Sequence, residues 1–143
     1  MLVRLLYASR AAAQVNPEEL LAILRQSKTN NPAEGITGVL CFCLSERIFL
    51  QVLEGGRSAV NKRYNRIVTD PRHSDVELLS YEEIGERHFA AWTMGQVNMA
   101  GLNPALVLKY SERSALDPFA VSGRASLALF EELMATASVV GHP

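Results

Sequence analysis

Two polar side chains, a carboxamide and a phenol, lie within mostly apolar segments that are predicted to form strands. Gln51 lies in the middle of residues 48–53 (IFLQVL), and Tyr7 lies within residues 2–9 (LVRLLYAS). A buried carboxamide without partners for its donors and its carbonyl costs about 1–3 kcal/mol. Gln51 therefore either faces water on an edge strand or is directed at a polar ligand. Tyr7 leaves the same choice between a ligand contact and a core tyrosine whose hydroxyl meets a carbonyl.

Other polar residues cluster where helices are predicted to end. Asn30 and Asn31 precede Pro32, which is typical of a helix-ending turn. A second set is spaced i, i+4, i+7 near the end of the next predicted helix, where a solvated ion pair is the ordinary explanation. This set consists of Arg66, Asp70 and His73.

The cysteines, histidines and charges exclude several classes of function. Cys41 and Cys43 would share one face of a strand as reduced, half-buried thiols, because i, i+2 cysteines rarely form a disulfide. Three scattered histidines give no metal-binding pattern. A formal net charge of −1 without a basic cluster argues against nucleic-acid binding. No apolar run approaches the roughly 20 residues that span a bilayer, and no signal peptide precedes the first strand, so we expect a cytoplasmic protein.

Two amphipathic helices must position these residues. The first is predicted to begin with Asn16 as its N-cap and Pro17 at its first position, and to end at Pro32. Its apolar stripe comprises Leu20, Ile23, Leu24 and Ser27. The second is predicted to follow a strand broken by residues 55–56, to be capped by Ser58 and to stop at residues 70–71. Its apolar face comprises Val60, Tyr64, Ile67 and Val68.

Five strands alternate with these helices. They are predicted at residues 2–9, 37–44, 48–53, 76–82 and 92–99, with a hairpin turn at 45–47. The order β-α-β-β-α-β-β predicts an α+β, ferredoxin-like fold: a five-stranded mixed sheet with two helices on one face. Trp92 and Met94 would share one face of the fifth strand.

The remaining residues predict a helical tail. Residues 104–110 favour a short helix, and residues 125–137 favour a longer one. The stripe of the longer helix comprises Leu127, Phe130, Leu133 and Met134. We expect one domain over residues 1–99 and a helical extension over residues 100–143 that packs on the free face of the sheet. Part of the stripe could instead form a homodimer.

Taken together, the uncommon positions resemble the BLUF family, the sensors of blue light using FAD. The resemblance rests on Tyr7 and on residues 30–38 (NNPAEGITG), 49–55 (FLQVLEG), 64–73 (YNRIVTDPRH) and 92–94 (WTM). It covers about residues 1–99 in the right order. The hairpin departs from the family pattern, since it is slightly long and lacks the usual Gly or Asn. No glycine-rich dinucleotide fingerprint is present, and the family does not need one.

The resemblance implies a flavin between the two helices. The residues that match flavin contacts in the family are Tyr7, Ile23, Ser27, Asn30, Asn31, Gln51, Arg66, Ile67, Asp70 and His73. Of these, Ile23 and Ile67 would lie against the isoalloxazine ring, and Asn31 would hydrogen-bond its polar edge. The three at 66–73 match positions that hold the ribityl and phosphate portion, with Arg66 as a phosphate clamp. FAD is the expected cofactor, with FMN and riboflavin as alternatives.

The resemblance also implies a photochemical cycle without substrate turnover. Tyr7 would lose an electron, and then a proton through Gln51, and both would return when the radicals recombine. The lasting change would be in the Gln51 amide, rotated or tautomerised so that its donor and acceptor exchange places. Trp92 and Met94 would carry the change towards the C-terminal helices. A downstream protein or a change of assembly, with a homo-oligomer expected, would receive it.

Two rival functions fit the same scaffold. An acylphosphatase-like hydrolase would need an oxyanion-binding loop beside a catalytic Arg and Asn, and no such loop is evident. A colourless ligand-binding or oligomerisation module would have no need of Tyr7 and Gln51. We therefore expect a photoreceptor and not an enzyme.

Overall fold

Strands and helices follow one another in the predicted order. The computed structural model describes residues 1–43, 45–115 and 117–136, without the side chains of residues 20, 21, 24, 27–31 and 100. The strands are β1 Leu2–Ala11, β2 Thr37–Cys43, β3 Ile48–Gly56, β4 His73–Ile84 and β5 Gly95–Asn98. The helices are α1 Pro17–Glu34, α2 Arg57–Thr69, α3 Pro104–Leu108 and α4 Gly123–Ala135, with a 3-10 turn at Met99–Gly101. No helix in these described ranges is long and apolar enough to cross a bilayer.

The sheet is mixed and has the strand order β4-β1-β3-β2-β5. β1 pairs antiparallel with β3 and β4, β2 pairs antiparallel with β3, and β2 and β5 run parallel. The predicted α+β, ferredoxin-like fold is therefore confirmed. β1 and β3 lie at the centre of the sheet, and Tyr7 is the direct cross-strand partner of Gln51.

The two faces of the sheet bury two separate apolar clusters, because successive side chains of a strand point to opposite faces. The cavity-face cluster lies under α1 and α2 and includes Val3, Leu5, Phe49, Leu53 and Val60. The reverse-face cluster includes Leu6, Ala8, Leu50 and Val52 of the sheet and Leu129, Phe130 and Leu133 of α4. The side chains of Leu127 and Met134 are partly buried against the same cluster.

The first helix begins as predicted but ends later. The side chain of Asn16 accepts the Glu19 N–H at 2.9 Å, which confirms the N-cap. The prediction that Pro32 ends the helix is wrong, because α1 continues to Glu34. Proline removes one N–H donor, a loss that a last turn tolerates more easily than a helix centre. The helix ends at Gly35, whose φ of 69° is the left-handed conformation that glycine favours.

The second helix begins earlier than predicted. Residues 55–56 do not break β3 but form its end, and Gly56 precedes the helix as N-cap without a side-chain bond, so Ser58 is not the cap. Gly55 is needed for close approach, since a Cβ there would lie 3.0 Å from the Gly35 carbonyl oxygen. The predicted stop is confirmed, with Asp70 as C-cap. Val68 is 48% exposed and does not belong to the buried face.

The segment before β5 differs most from the prediction. Residues 92–94 precede the strand, which starts at Gly95. Trp92 packs in the reverse-face cluster and Met94 in the cavity-face cluster, so the prediction that they share one strand face is wrong. The alternation rule fails because only residues of a regular ladder alternate. Here the Gly38 N–H donates to the Trp92 carbonyl at 2.9 Å, and the Trp92 N–H donates to the Phe89 carbonyl at 3.0 Å.

The β2–β3 hairpin turns without glycine. Arg47 adopts a positive φ of 56°, which is uncommon for a residue with a side chain. Its guanidinium donates to the Ala12 carbonyl and, at 3.2 Å, to the Val15 carbonyl. These bonds to the β1–α1 connection offset the backbone strain, which explains how the turn forms without the usual Gly or Asn.

Candidate functional site

A phenol and a carboxamide meet at the centre of the cavity face. Tyr7 and Gln51 lie opposite each other on the antiparallel strands β1 and β3, which places their side chains on one face. The Tyr7 hydroxyl donates to Gln51 Oε1 at 2.5 Å. At its other end, Gln51 Nε2 donates to Met94 Sδ at 3.2 Å. The amide thus joins a strong donor to a thioether, which is a weak acceptor.

Both partners are shielded from water. Tyr7 is 1% exposed and Gln51 is 5% exposed. Burial, followed by the nearby Tyr64 and Asp70, raises the pKa of Tyr7 well above its ordinary value of 10. The phenol is therefore neutral at physiological pH, and its proton is held in the bond to Gln51.

A cavity of about 680 Å³, counting its open mouth, lies beside this pair. Its walls come from β1, β2, β3, α1 and α2 and from the start of β4. The lining residues are Tyr7, Ile23, Gln26, Leu40, Phe49, Gln51, Leu53, Arg63, Arg66, Ile67, Asp70, Arg72 and His73.

Guanidinium groups concentrate at the mouth of the cavity. Arg63 and Arg66 of α2 both pair with Glu34 at the end of α1, at 2.9 Å and 3.0 Å. Arg72 pairs with Asp70 at 2.5 Å, and the hydrogen bond from Arg72 holds the pKa of that carboxyl below its ordinary range. The Nε of Arg63 is buried without a hydrogen-bond partner among the described residues. A buried unpaired donor of this kind is suited to an anionic ligand.

His73 lies beside Tyr7 in the cavity wall, with ring centroids 6.3 Å apart. Its Nδ1 lies 2.7 Å from Ser9 Oγ, and its ring centroid lies 5.0 Å from that of Phe49. Burial lowers the pKa of His73 from 6.5 to about 4. The imidazole is therefore neutral at pH 7 and forms a polar but uncharged part of the wall.

The cavity brings together most of the residues that the sequence singled out. Tyr7, Ile23, Gln51, Arg66, Ile67, Asp70 and His73 all line it. The side chains of Ser27, Asn30 and Asn31 lie outside the described residues, and their roles stay predictions. Met94 lies on the cavity face, where its sulfur accepts a hydrogen bond from Gln51, whereas Trp92 packs on the reverse face.

Sequence reasoning missed six lining residues. They are Gln26, Leu40, Phe49, Leu53, Arg63 and Arg72. Phe49 and Leu53 flank Gln51 at i±2, so strand alternation could have found them. Arg63 lies four residues before Ile67, on the same helix face. Gln26 likewise lies three residues after Ile23 on α1. Nothing in the spacing indicated Arg72.

The thiols and carboxylates show no second site. Cys41 and Cys43 are free and buried, not half-buried as predicted, because β2 has strand neighbours on both sides. Burial raises the pKa of the Cys41 thiol above its ordinary value. Within the described ranges, no three His, Cys, Asp or Glu side chains are grouped to hold a metal ion.

The lining fits a flavin. Ile23 of α1 and Ile67 of α2 would supply apolar surface for a flat ring, Gln51 would offer a polar contact, and the guanidiniums would suit a phosphate-bearing chain. The buried, unpaired Nε of Arg63 is the observation that favours such a charged group.

Comparisons with known proteins agree with this geometry. Residues 2–95 match the BLUF family, described as sensors of blue-light using FAD. The photoactivated adenylate cyclase subunit beta of Euglena gracilis is 36% identical over 94 residues, which are 65% of this chain and 11% of that protein. This chain thus corresponds to about a tenth of the length of that relative.

Two solved structures are similar along nearly their whole length. The photo-activated state of BlsA has a TM-score of 0.82 at 28% identity and covers 94% of this chain and 95% of that chain. The dark state of BlrB, a BLUF protein, has a TM-score of 0.79 at 31% identity and covers 95% and 96%. Sequence, fold and cavity therefore agree that this chain belongs to the BLUF family, the sensors of blue light using FAD.

Proposed function

We propose that this chain is a blue-light photoreceptor in which the Tyr7–Gln51 pair makes the signalling change. The observation that carries the proposal is the 2.5 Å hydrogen bond between two nearly fully buried side chains on the wall of the cavity between α1 and α2. An edge-strand glutamine would face water, whereas Gln51 is buried on an inner strand. The carbonyl that the Tyr7 hydroxyl meets belongs to this same Gln51 amide, so the two polar side chains form one unit on the cavity wall.

The cavity suggests which residues hold the flavin. Ile23 and Ile67 would flank the ring, with Asn31 at its polar edge and Ser27 and Asn30 nearby. Arg66, Asp70 and His73 would surround the ribityl and phosphate portion, and the lining adds Arg63 and Arg72 to this group. When bound, a flavin supplies absorption of blue light and acceptance of an electron. FAD and FMN carry negatively charged phosphate, whereas riboflavin carries none. The guanidiniums at the mouth of the cavity favour the two phosphate-bearing forms.

The protein's own part begins with the proton of Tyr7. After loss of an electron, the phenol would release its proton along the existing bond to Gln51 Oε1. Electron and proton both return to Tyr7 when the radicals recombine, so the cycle has no net oxidation. No substrate is consumed, and the chain would act as a sensor and not as an enzyme.

Met94 makes the two amide orientations unequal. In the arrangement observed, Gln51 accepts from Tyr7 and donates to Met94. A thioether has no N–H or O–H to donate, so an amide with its ends exchanged would lose the Met94 bond and turn a donor towards the Tyr7 oxygen. The change at Gln51 would therefore be felt directly at residue 94.

The output would leave through the C-terminal part of the chain. We propose residues 1–99 as the sensory domain and residues 100–143 as the helical extension that reports its state. The receiver would be a downstream protein or a second copy of the chain.

The purified protein should be yellow, and blue light should shift its flavin absorption reversibly to longer wavelength. Tyr7→Phe and Gln51→Leu should each retain flavin but lose this shift, because the phenol proton or the reorientable amide is gone. Absorption spectra before and after illumination measure both effects. Tyr81→Phe and Gln14→Leu, at exposed positions, are the matched controls and should shift normally. A full reversible shift in Gln51→Leu, or a colourless parent protein, would contradict the proposal.

A further inference from the structure

A buried carboxylate lies behind the site, on the same strand as Gln51. Glu54 follows Gln51 by three residues on β3 and therefore points to the reverse face. It is fully buried. Its Oε1 accepts the Phe89 N–H at 2.7 Å, and its Oε2 accepts the His88 N–H at 3.0 Å. Glu54 thus provides the acceptors for two backbone donors that belong to no strand.

Three strands fix the position of this carboxylate. Arg4 of β1 is the cross-strand partner of Glu54 on one side and of Glu82 of β4 on the other. Arg4 Nε donates to Glu54 Oε2 at 2.8 Å, and its Nη1 donates to Glu82 Oε1 at 2.9 Å. Charge-assisted bonds of this kind are short and directional, so the Glu54 oxygens are held in one place.

The segment bound by Glu54 leads to Met94. We call residues 87–94 the strap. Arg87 at its start donates to Thr37 Oγ1 at 3.0 Å and to the Gly35 carbonyl at 2.7 Å, and Trp92 near its end accepts from the Gly38 N–H. Between these points the strap packs Phe89 and Trp92 on the reverse face, and then places Met94 on the cavity face.

We propose that Glu54 is a positioning residue for Met94. Because Glu54 and Gln51 both lie on β3, this strand then positions both the Gln51 amide and the Met94 sulfur that accepts from it. A thioether sulfur bonds weakly, and the 3.2 Å contact with Gln51 does little to hold it. The sulfur position therefore depends on the backbone of the strap. Glu54 anchors that backbone near its start, by accepting the N–H groups of His88 and Phe89. The inference rests on the proposed function only for its light-dependent readout.

The test compares two double variants that differ in a single acceptor. Arg4→Leu/Glu54→Gln removes the buried charges but keeps an amide oxygen for the strap N–H groups. Arg4→Leu/Glu54→Leu removes the charges and the acceptor together. Both avoid an unpaired buried charge, which would destabilise the fold for an unrelated reason. The methyl group of Met94 is observed by ¹³C-methyl-methionine NMR in the flavin-loaded protein, with the exposed Met1 as internal control.

We expect the Met94 methyl line to move by more than its width in Arg4→Leu/Glu54→Leu and to stay near its parent position in Arg4→Leu/Glu54→Gln. In the same samples, the rate of dark recovery should change by about tenfold in Arg4→Leu/Glu54→Leu. This is the effect of one hydrogen bond that is present in only one of the dark and illuminated states. A Met94 line that stays in place in both variants, or that moves equally in both, overturns the proposal.

Glu54→Asp covers the case in which Arg4→Leu/Glu54→Leu does not fold. Aspartate keeps the negative charge that pairs with Arg4, but its side chain is one methylene shorter, so the carboxylate lies farther from the strap N–H groups. The Met94 line should then move while the Met1 line stays. An unmoved Met94 line in Glu54→Asp overturns the proposal in the same way. A parent protein without a light-induced shift would refute the proposed function, and the methyl comparison would still decide the role of Glu54.

Discussion

The site depends on a few side chains whose protonation is set by burial. Tyr7 keeps its proton because the phenolate would be buried, and His73 stays neutral because the imidazolium would be. Two titratable groups on one wall are thus both held uncharged at neutral pH. The charges of the cavity lining are carried by Asp70 and by the guanidiniums of Arg63, Arg66 and Arg72.

The neutral state of His73 predicts a loss of stability in weak acid. Its pKa in the folded chain, about 4, lies below the unfolded value of 6.5. Between pH 4 and pH 6.5, His73 therefore takes up a proton when the chain unfolds. The contribution of neutral His73 to the free energy of unfolding is fully present above pH 6.5. It falls as the pH drops towards 4, by up to about 3 kcal/mol. Urea unfolding of parent and His73→Gln from pH 7 to 4 measures this, and the variant should show a flatter profile. His88→Gln, at an exposed position, is the control, and equal slopes in His73→Gln and parent would contradict the prediction.

At the scale of elements, the close approach of α4 to the sheet depends on a glycine. Gly123 begins α4, and a Cβ there would lie 2.6 Å from the Leu79 carbonyl oxygen of β4. Gly123→Ala should therefore force α4 away from β4 and destabilise the protein by about 1–3 kcal/mol, the usual effect of overpacking. Thermal unfolding measures the change. Gly101→Ala, where no atom lies within 4 Å, is the matched control, and an unchanged melting temperature in Gly123→Ala would contradict the close contact.

The order of the elements was predictable from the sequence because each has a local signal. Asn16 and Pro17 mark a helix start, and the alternation around Gln51 marks a strand. The features that could not be predicted depend on distant contacts. Gly55 stays in β3 because the Gly35 carbonyl lies against it, and Trp92 leaves the strand pattern because its carbonyl bonds to Gly38. The same limit applies in the cavity, where Arg72 is brought in by tertiary structure and not by spacing.

At the scale of the whole molecule, the strap connects the two faces of the sheet. The strap carries Met94 on the cavity face, and its other end contacts α4 on the reverse face. His88 Nδ1 lies 2.9 Å from Glu131 Oε1, and the rings of Phe89 and Phe130 meet edge to face with centroids 6.2 Å apart. A change at Gln51 thus has a contiguous physical route to α4.

This route predicts a light-dependent change in protection. Amide hydrogen exchange of the strap and of α4 should differ between dark and illuminated protein, whereas α3 should exchange equally in both. Phe130→Ala should weaken the difference in α4 but leave the spectral shift intact, since it lies on the far side of the sheet from the cavity. Exchange measured by mass spectrometry in both states tests this. Identical protection of α4 in dark and light would exclude the route.

The Tyr7–Gln51 bond joins two inner strands of the sheet, each of which has a neighbour on either side. The carboxamide can exchange its ends about its own side-chain torsions while the ladder of main-chain bonds stays closed. Nothing has to unfold or re-register for the receptor to return to its starting state. Such a receptor can therefore switch many times without any rearrangement of its backbone.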